Sequence, residues 1–139
     1  MIKVEYLPPC GSADCPLIRL YDFRGGDIAA LRAICESLAN GGRDECVLTD
    51  EPWAQSINGC RLLLRVVPVD RATPNFESCC TACRVPFPTP GEPYVMHGSR
   101  RGWDDVRELL EPFLAVRHGF NWLADSPDVR VLISVTGEW

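Results

Sequence analysis

The sequence predicts an α+β domain in which two helices lie on one face of an antiparallel sheet. Three observations point there: two stretches of strict period-two alternation, two amphipathic helical stripes, and a helix–strand–strand order that occurs twice. In 60–67, Cys60, Leu62, Leu64 and Val66 alternate with Arg61, Leu63, Arg65 and Val67. In 129–135, Val129, Val131, Ile133 and Val135 alternate with Arg130, Leu132 and Ser134. Alternation with β-branched enrichment is the pattern of antiparallel strands with one face buried.

Taken in chain order, 2–6 reads as a short strand, and 17–23 is so nearly continuously apolar that a central strand is expected. The first helix is expected over 27–39, with Ile28, Leu31, Ile34, Cys35 and Leu38 on one stripe. Asp27 stands where an N-cap acceptor is wanted, and Gly41-Gly42 where a left-handed C-cap is wanted. A weak strand follows at 46–49, and Asn58-Gly59 is a hairpin-type turn before the strand at 60–67. The second helix is expected over 103–117, with Val106, Leu109, Leu110, Phe113 and Leu114 at helical spacing and Pro112 predicting a kink or break. A strand at 120–124 and a turn at Ser126-Pro127-Asp128 lead into the last strand.

Each helix–strand–strand unit needs one strand before its helix. The stretch 17–23 supplies it in the first half, and 76–82 or 94–97 in the second. The preferred architecture is therefore a tandem pair of βαββ units in one sheet, and the alternative is a ferredoxin-like βαββαβ core with extra strands. The length suits one domain over 1–139. The exception to its regularity is 68–102, a Pro- and Cys-containing insert expected to be irregular.

The net charge of −5 opposes a phosphate backbone, so nucleic acid is excluded as the expected partner. The first ten residues hold one basic residue and no apolar run of signal-peptide length. No segment approaches the ~18 apolar residues that cross a bilayer. A cytoplasmic protein without a membrane partner is the expectation. In that compartment eight cysteines are not expected to pair as disulfides.

Cys35, Cys46 and Cys60 fall in apolar stretches and read as small core residues. The other five offer the sharpest chemistry, a zinc site. Cys80-Thr81-Ala82-Cys83 is a C-x-x-C with Cys79 directly before it, and Cys10 and Cys15 form a C-x4-C. Four thiolates satisfy a tetrahedral ion, although chance C-x-x-C spacing competes in a chain with this many cysteines. A thioredoxin-like role for Cys80 and Cys83 would need a helix directly after them, and the sequence offers none.

An anion site is the next candidate. Arg24 before the first helix, and His97, Arg100 and Arg101 before the second, stand among glycines at expected helix N-termini, where N–H groups and guanidinium forks hold anions. Asp27, Asp104 and Asp105 oppose it. The carboxylates on the second helix read as a solvated face. Trp53 in a connecting loop and Trp139 at position 139 are candidate anchors for a protein partner or for self-association. The functional expectation is a non-catalytic binding or interaction domain. The alternatives are a structural zinc protein on Cys10, Cys15, Cys80 and Cys83, and a small thiol- or anion-using enzyme around His97.

Overall fold

Nine strands and two helices follow one another in a computed structural model, which describes residues 1–8, 16–67, 83–115, 118–125 and 128–136. They are β1 (Ile2–Leu7), β2 (Leu17–Tyr21), α1 (Gly25–Asn40), β3 (Glu45–Val47), β4 (Ala54–Ser56), β5 (Leu62–Val66), β6 (Cys83–Arg84), β7 (Tyr94–Gly98), α2 (Arg100–Leu110), β8 (Phe120–Asp125) and β9 (Arg130–Ser134). A 3-10 turn at Leu48–Asp50 follows β3, and another at Glu111–Leu114 follows α2.

The strands form two mixed sheets, in the orders β4-β1-β2-β9-β8 and β3-β5-β7-β6. This corrects the expectation of one antiparallel sheet. β1–β2, β3–β5, β6–β7 and β8–β9 are antiparallel, whereas β1–β4, β2–β9 and β5–β7 are parallel. The ferredoxin-like order does not describe these ladders either. Period-two alternation reports which face of a strand is buried, and it carries no information about the direction of the neighbour.

The two halves of the chain share an element order but send their strands to different sheets. β1 and β2 lie in the first sheet, and after α1 the chain enters the second as β3, returns to the first as β4 and re-enters the second as β5. β6 and β7 lie in the second sheet, and after α2 the chain returns to the first as β8 and β9. Parallel pairing requires such long crossovers, because a tight hairpin reverses the chain. The sheets also meet at an isolated bridge, where the Val129 N–H donates to the Val85 carbonyl at 3.2 Å.

The insert expected at 68–102 is described from 83 onward, where a loop over 86–93 with a turn at Pro90–Gly91 separates regular elements. Its described part contains β6, β7 and the first residues of α2. Of the two strand candidates there, 94–97 lies in β7 and 76–82 lies outside the described residues.

α1 buries Ile28, Leu31, Ile34, Cys35 and Leu38, the stripe read from the sequence. It starts earlier than expected. Arg24 is the N-cap residue and Asp27 is its third helical residue, whose carboxylate accepts the Arg24 N–H at 3.0 Å. Gly41 ends the helix at φ 90°, a conformation that costs glycine little. α2 also starts early, capped by Ser99, whose hydroxyl accepts the Gly102 N–H at 3.0 Å. It stops at Leu110 and tightens into the 3-10 turn that contains Pro112, because proline cannot continue the α-helical ladder. Asn58 and Gly59 both have positive φ, as the turn before β5 demands.

Both sheets contribute to one core. Ile2, Val4, Ile18, Leu20, Val131 and Ile133 from the first sheet meet Leu62, Leu64, Cys83 and Met96 from the second, together with the buried stripes of both helices. The tightest approach is at Gly98. A Cβ there would stand 2.7 Å from the Cys83 sulfur and 2.9 Å from Nε1 of Trp103. Trp103 is 1% exposed, and its indole N–H donates to the Arg65 carbonyl at 3.1 Å, tying α2 to β5. Overpacking of a filled core costs ~1–3 kcal/mol, so Gly98→Ala is expected to lower unfolding free energy by about that amount. Urea titration of both proteins checks it, and an unchanged midpoint with an unchanged slope would contradict this packing.

Candidate functional site

Two places on the fold gather chemistry. The first is a cavity of about 640 Å³ at the start of α1, lined by Phe23, Arg24, Gly25, Phe113, Leu114, Ala115 and Val135. Three segments make it. The chain leaving β2 brings Phe23 and Arg24 to the first turn of α1, the 3-10 turn after α2 folds Phe113 and Leu114 against that turn, and Val135 follows β9. Phe23 and Phe113 meet edge to face with ring centres 5.7 Å apart, a geometry that fixes both rings. Gly25 lets the helix approach closely, since a Cβ there would lie 3.2 Å from the Leu114 carbonyl oxygen. The walls are mainly apolar, and the exposed Arg24 brings the positive charge at the mouth.

The second place is a row of side chains across the outward face of the second sheet. Cross-strand neighbours share a face, and the register sets Glu45 beside Arg65, Arg65 beside His97, and His97 beside Arg84. The alternate positions, Cys46, Leu64, Met96 and Cys83, point into the core. Glu45 accepts from Nε of Arg65 at 3.2 Å. His97 is half-buried, and its pKa lies below the ordinary histidine value. Desolvation is the main cause, and the Arg65 and Arg84 charges add to it.

The remaining sequence candidates are placed as follows. Arg24 and Arg100 stand at opposite ends of α1, whose 16 residues span ~24 Å, so they do not share a site. Arg100 is engaged elsewhere: its guanidinium donates to the Leu38 carbonyl and to the Asp44 carboxylate, each at 3.0 Å. It thereby supplies the cation that the last turn of α1 lacks in its own sequence. Arg101 is exposed on the first turn of α2. Trp53 is half-buried against the core, and Trp139 lies outside the described residues.

Of the zinc candidates, Cys10, Cys15, Cys79 and Cys80 lie outside the described residues. Cys83 is wholly buried on β6, behind Gly98 and beside Trp103. Burial pushes its thiol pKa up, raises Cys35 to about 12, and raises Cys60 to about 11 with a smaller contribution from the Glu5 charge. Cys46 is raised by burial and then by Glu51, whose carboxylate accepts from its thiol at 3.5 Å. Thiols held protonated in this way are weak nucleophiles and weak ligands. Among the described residues no three His, Cys, Asp or Glu side chains gather as a metal-binding set. No helix among them is long and apolar enough to cross a membrane.

Sequence reasoning did not group Arg65 and Arg84 with His97. Arg65 was visible as a polar position of an alternating strand, but its neighbour on β7 depends on a parallel pairing between distant segments. The cavity was equally hidden, because its walls come from positions 23–25, 113–115 and 135.

The molecule is thus an α+β domain of two mixed sheets and two helices, with an apolar cavity and a basic row on different elements. No protein-family model, curated protein or solved structure matches the chain.

The depressed His97 pKa has a consequence for stability. As pH falls through the ordinary histidine range, the unfolded chain takes up the proton before the folded one does, so stability falls with it. In phosphate-free buffer, the urea midpoint is expected to drop between pH 7.5 and pH 5.5 by more in the parent than in His97→Gln. Equal drops would contradict the shift.

Proposed function

We propose that the chain is a non-catalytic binding domain whose cavity at the start of α1 takes a small amphipathic organic molecule. The observation that carries this reading is the cavity itself. Its volume of about 640 Å³ falls within the ~300–1,000 Å³ typical of small-molecule sites. Phe23, Phe113, Leu114 and Val135 suit an apolar body, and Arg24 suits an anionic end. Asp27 stays engaged with the Arg24 N–H, which leaves the guanidinium to meet the ligand's charge.

Anilinonaphthalene sulfonate combines an aromatic body with one anionic group, and its fluorescence reports transfer into an apolar site. Saturable binding at one site per chain is expected, displaced by decanoate. Ala115→Phe, which fills the cavity from an exposed position, is expected to weaken binding at least tenfold, about 1.4 kcal/mol. Arg24→Gln is expected to weaken decanoate more than decanol. Binding that is unsaturable, or indifferent to Ala115→Phe, would remove the cavity as the site.

Strand β8 favours a second reading, self-association along a sheet edge. It is six residues long, lies at the edge of the first sheet, and begins with Phe120, which is 44% exposed. Light scattering on the purified chain is expected to give a dimer that Phe120→Lys dissociates, and a monomer at all accessible concentrations would exclude this reading.

A further inference from the structure

We propose that the outward face of the second sheet holds a second binding site, separate from the cavity, for a phosphate monoester with an apolar organic group. Its phosphate would lie between Arg65 and Arg84 above His97. Adjacent strands lie ~4.8 Å apart, so the two arginines spring from backbones ~10 Å apart with the imidazole between them. Both forks can therefore close on one tetrahedral oxyanion from opposite sides.

The charge arrangement makes an occupant favourable. A guanidinium flanks His97 on each side across the ladders, and both charges add to desolvation in disfavouring its protonated form. Glu45 accepts from Nε of Arg65 at 3.2 Å, so an anion on the row would share that guanidinium with the carboxylate. Beyond the strand ladders, the Arg84 and His97 side chains have no hydrogen bond or ion pair among the described residues. A dianion on the row would supply the missing countercharge and would satisfy planar donors bidentately.

The rest of the face selects the kind of phosphate. Two residues along each strand, ~7 Å away, Val47, Leu63 and Val95 form the next row on the same face. Val47 and Val95 are half-buried, and Leu63 between them is buried at 7% exposed. An apolar substituent on the phosphate would lie against the half-buried Val95, two residues from His97 on the same face, while the phosphate stays with the arginines. Free phosphate would use only half of the surface.

The chain's two histidines give a direct readout. The groups facing His97 are Arg65 from β5 and Arg84 from β6, with Glu45 from β3 beyond Arg65. Proton NMR titration of the imidazole Cε1–H signals, with and without phenyl phosphate, follows each histidine separately. A bound dianion is expected to raise the His97 pKa by ~1 unit and to leave the exposed His118 unmoved. Inorganic phosphate at the same concentration is expected to raise it less. Arg84→Gln is expected to abolish the shift while a thermal melt shows a cooperative transition like that of the parent. Equal movement of both histidines, movement of neither, or a full shift in Arg84→Gln would overturn the proposal. An effect of inorganic phosphate as large as that of phenyl phosphate would overturn the assignment of the apolar row. Ala115→Phe is expected to leave the His97 response intact, so failure of the cavity and failure of this site are distinguishable.

Discussion

The parallel ladder between β5 and β7 is the pairing on which the rest of the structure depends. It joins residues some thirty positions apart, from Leu62 beside Tyr94 to Val66 beside Gly98, and thereby closes the middle of the second sheet. On its inner side the ladder sets Leu64 beside Met96 and brings Gly98 under the indole of Trp103. The Trp103 N–H then reaches the Arg65 carbonyl, so α2 is held to the strand pair and not merely laid over it. On its outer side the same ladder sets Arg65 beside His97. One register therefore governs both the closest packing in the core and the basic row on the surface, because a slip of one residue would exchange the two faces.

The crossing of the chain between sheets follows from that ladder and its counterpart, β2 with β9. Each helix leaves one sheet and delivers its chain to the other, so neither half of the sequence can complete a sheet alone. The helices pack against each other, and a single cluster of apolar side chains draws on both sheets and both helices. Folding of such a topology must close long loops before the parallel pairings form, which is the cost of contacts distant in sequence. The cavity beside Phe23 and Phe113 exists because the 3-10 turn at Glu111–Leu114 returns to the start of α1. Pro112 makes that return possible by ending the α-helical ladder.

Electrostatics divides the arginines by what they do. Arg100 serves the end of α1 and Asp44, and Arg19 lies against Glu5 at 2.6 Å with its guanidinium over the Tyr21 ring. Arg130 stacks over Trp122 at 4.5 Å. These side chains cover the outward surface of the fold and close helix ends. Arg24, Arg65 and Arg84 are the ones placed at a cavity mouth or in a row of like charge. The thiols divide in a comparable way, for Cys35, Cys46, Cys60 and Cys83 behave as buried hydrophobes whose pKa values are raised chiefly by lost hydration.

Much of this was written locally in the chain. The stripe Ile28, Leu31, Ile34, Cys35, Leu38 fixed the buried face of α1, Pro112 fixed the end of α2, and the alternation of Leu62, Leu64 and Val66 fixed which side of β5 faces inward. These features depend on the geometry of a few neighbouring residues. Tertiary structure alone decided strand direction, the division into two sheets, the meeting of Arg65 with His97 and Arg84, and the cavity assembled from three distant segments. A residue's neighbours in sequence determine the face it occupies, but its neighbours across a sheet are set by long-range burial, which no short pattern records.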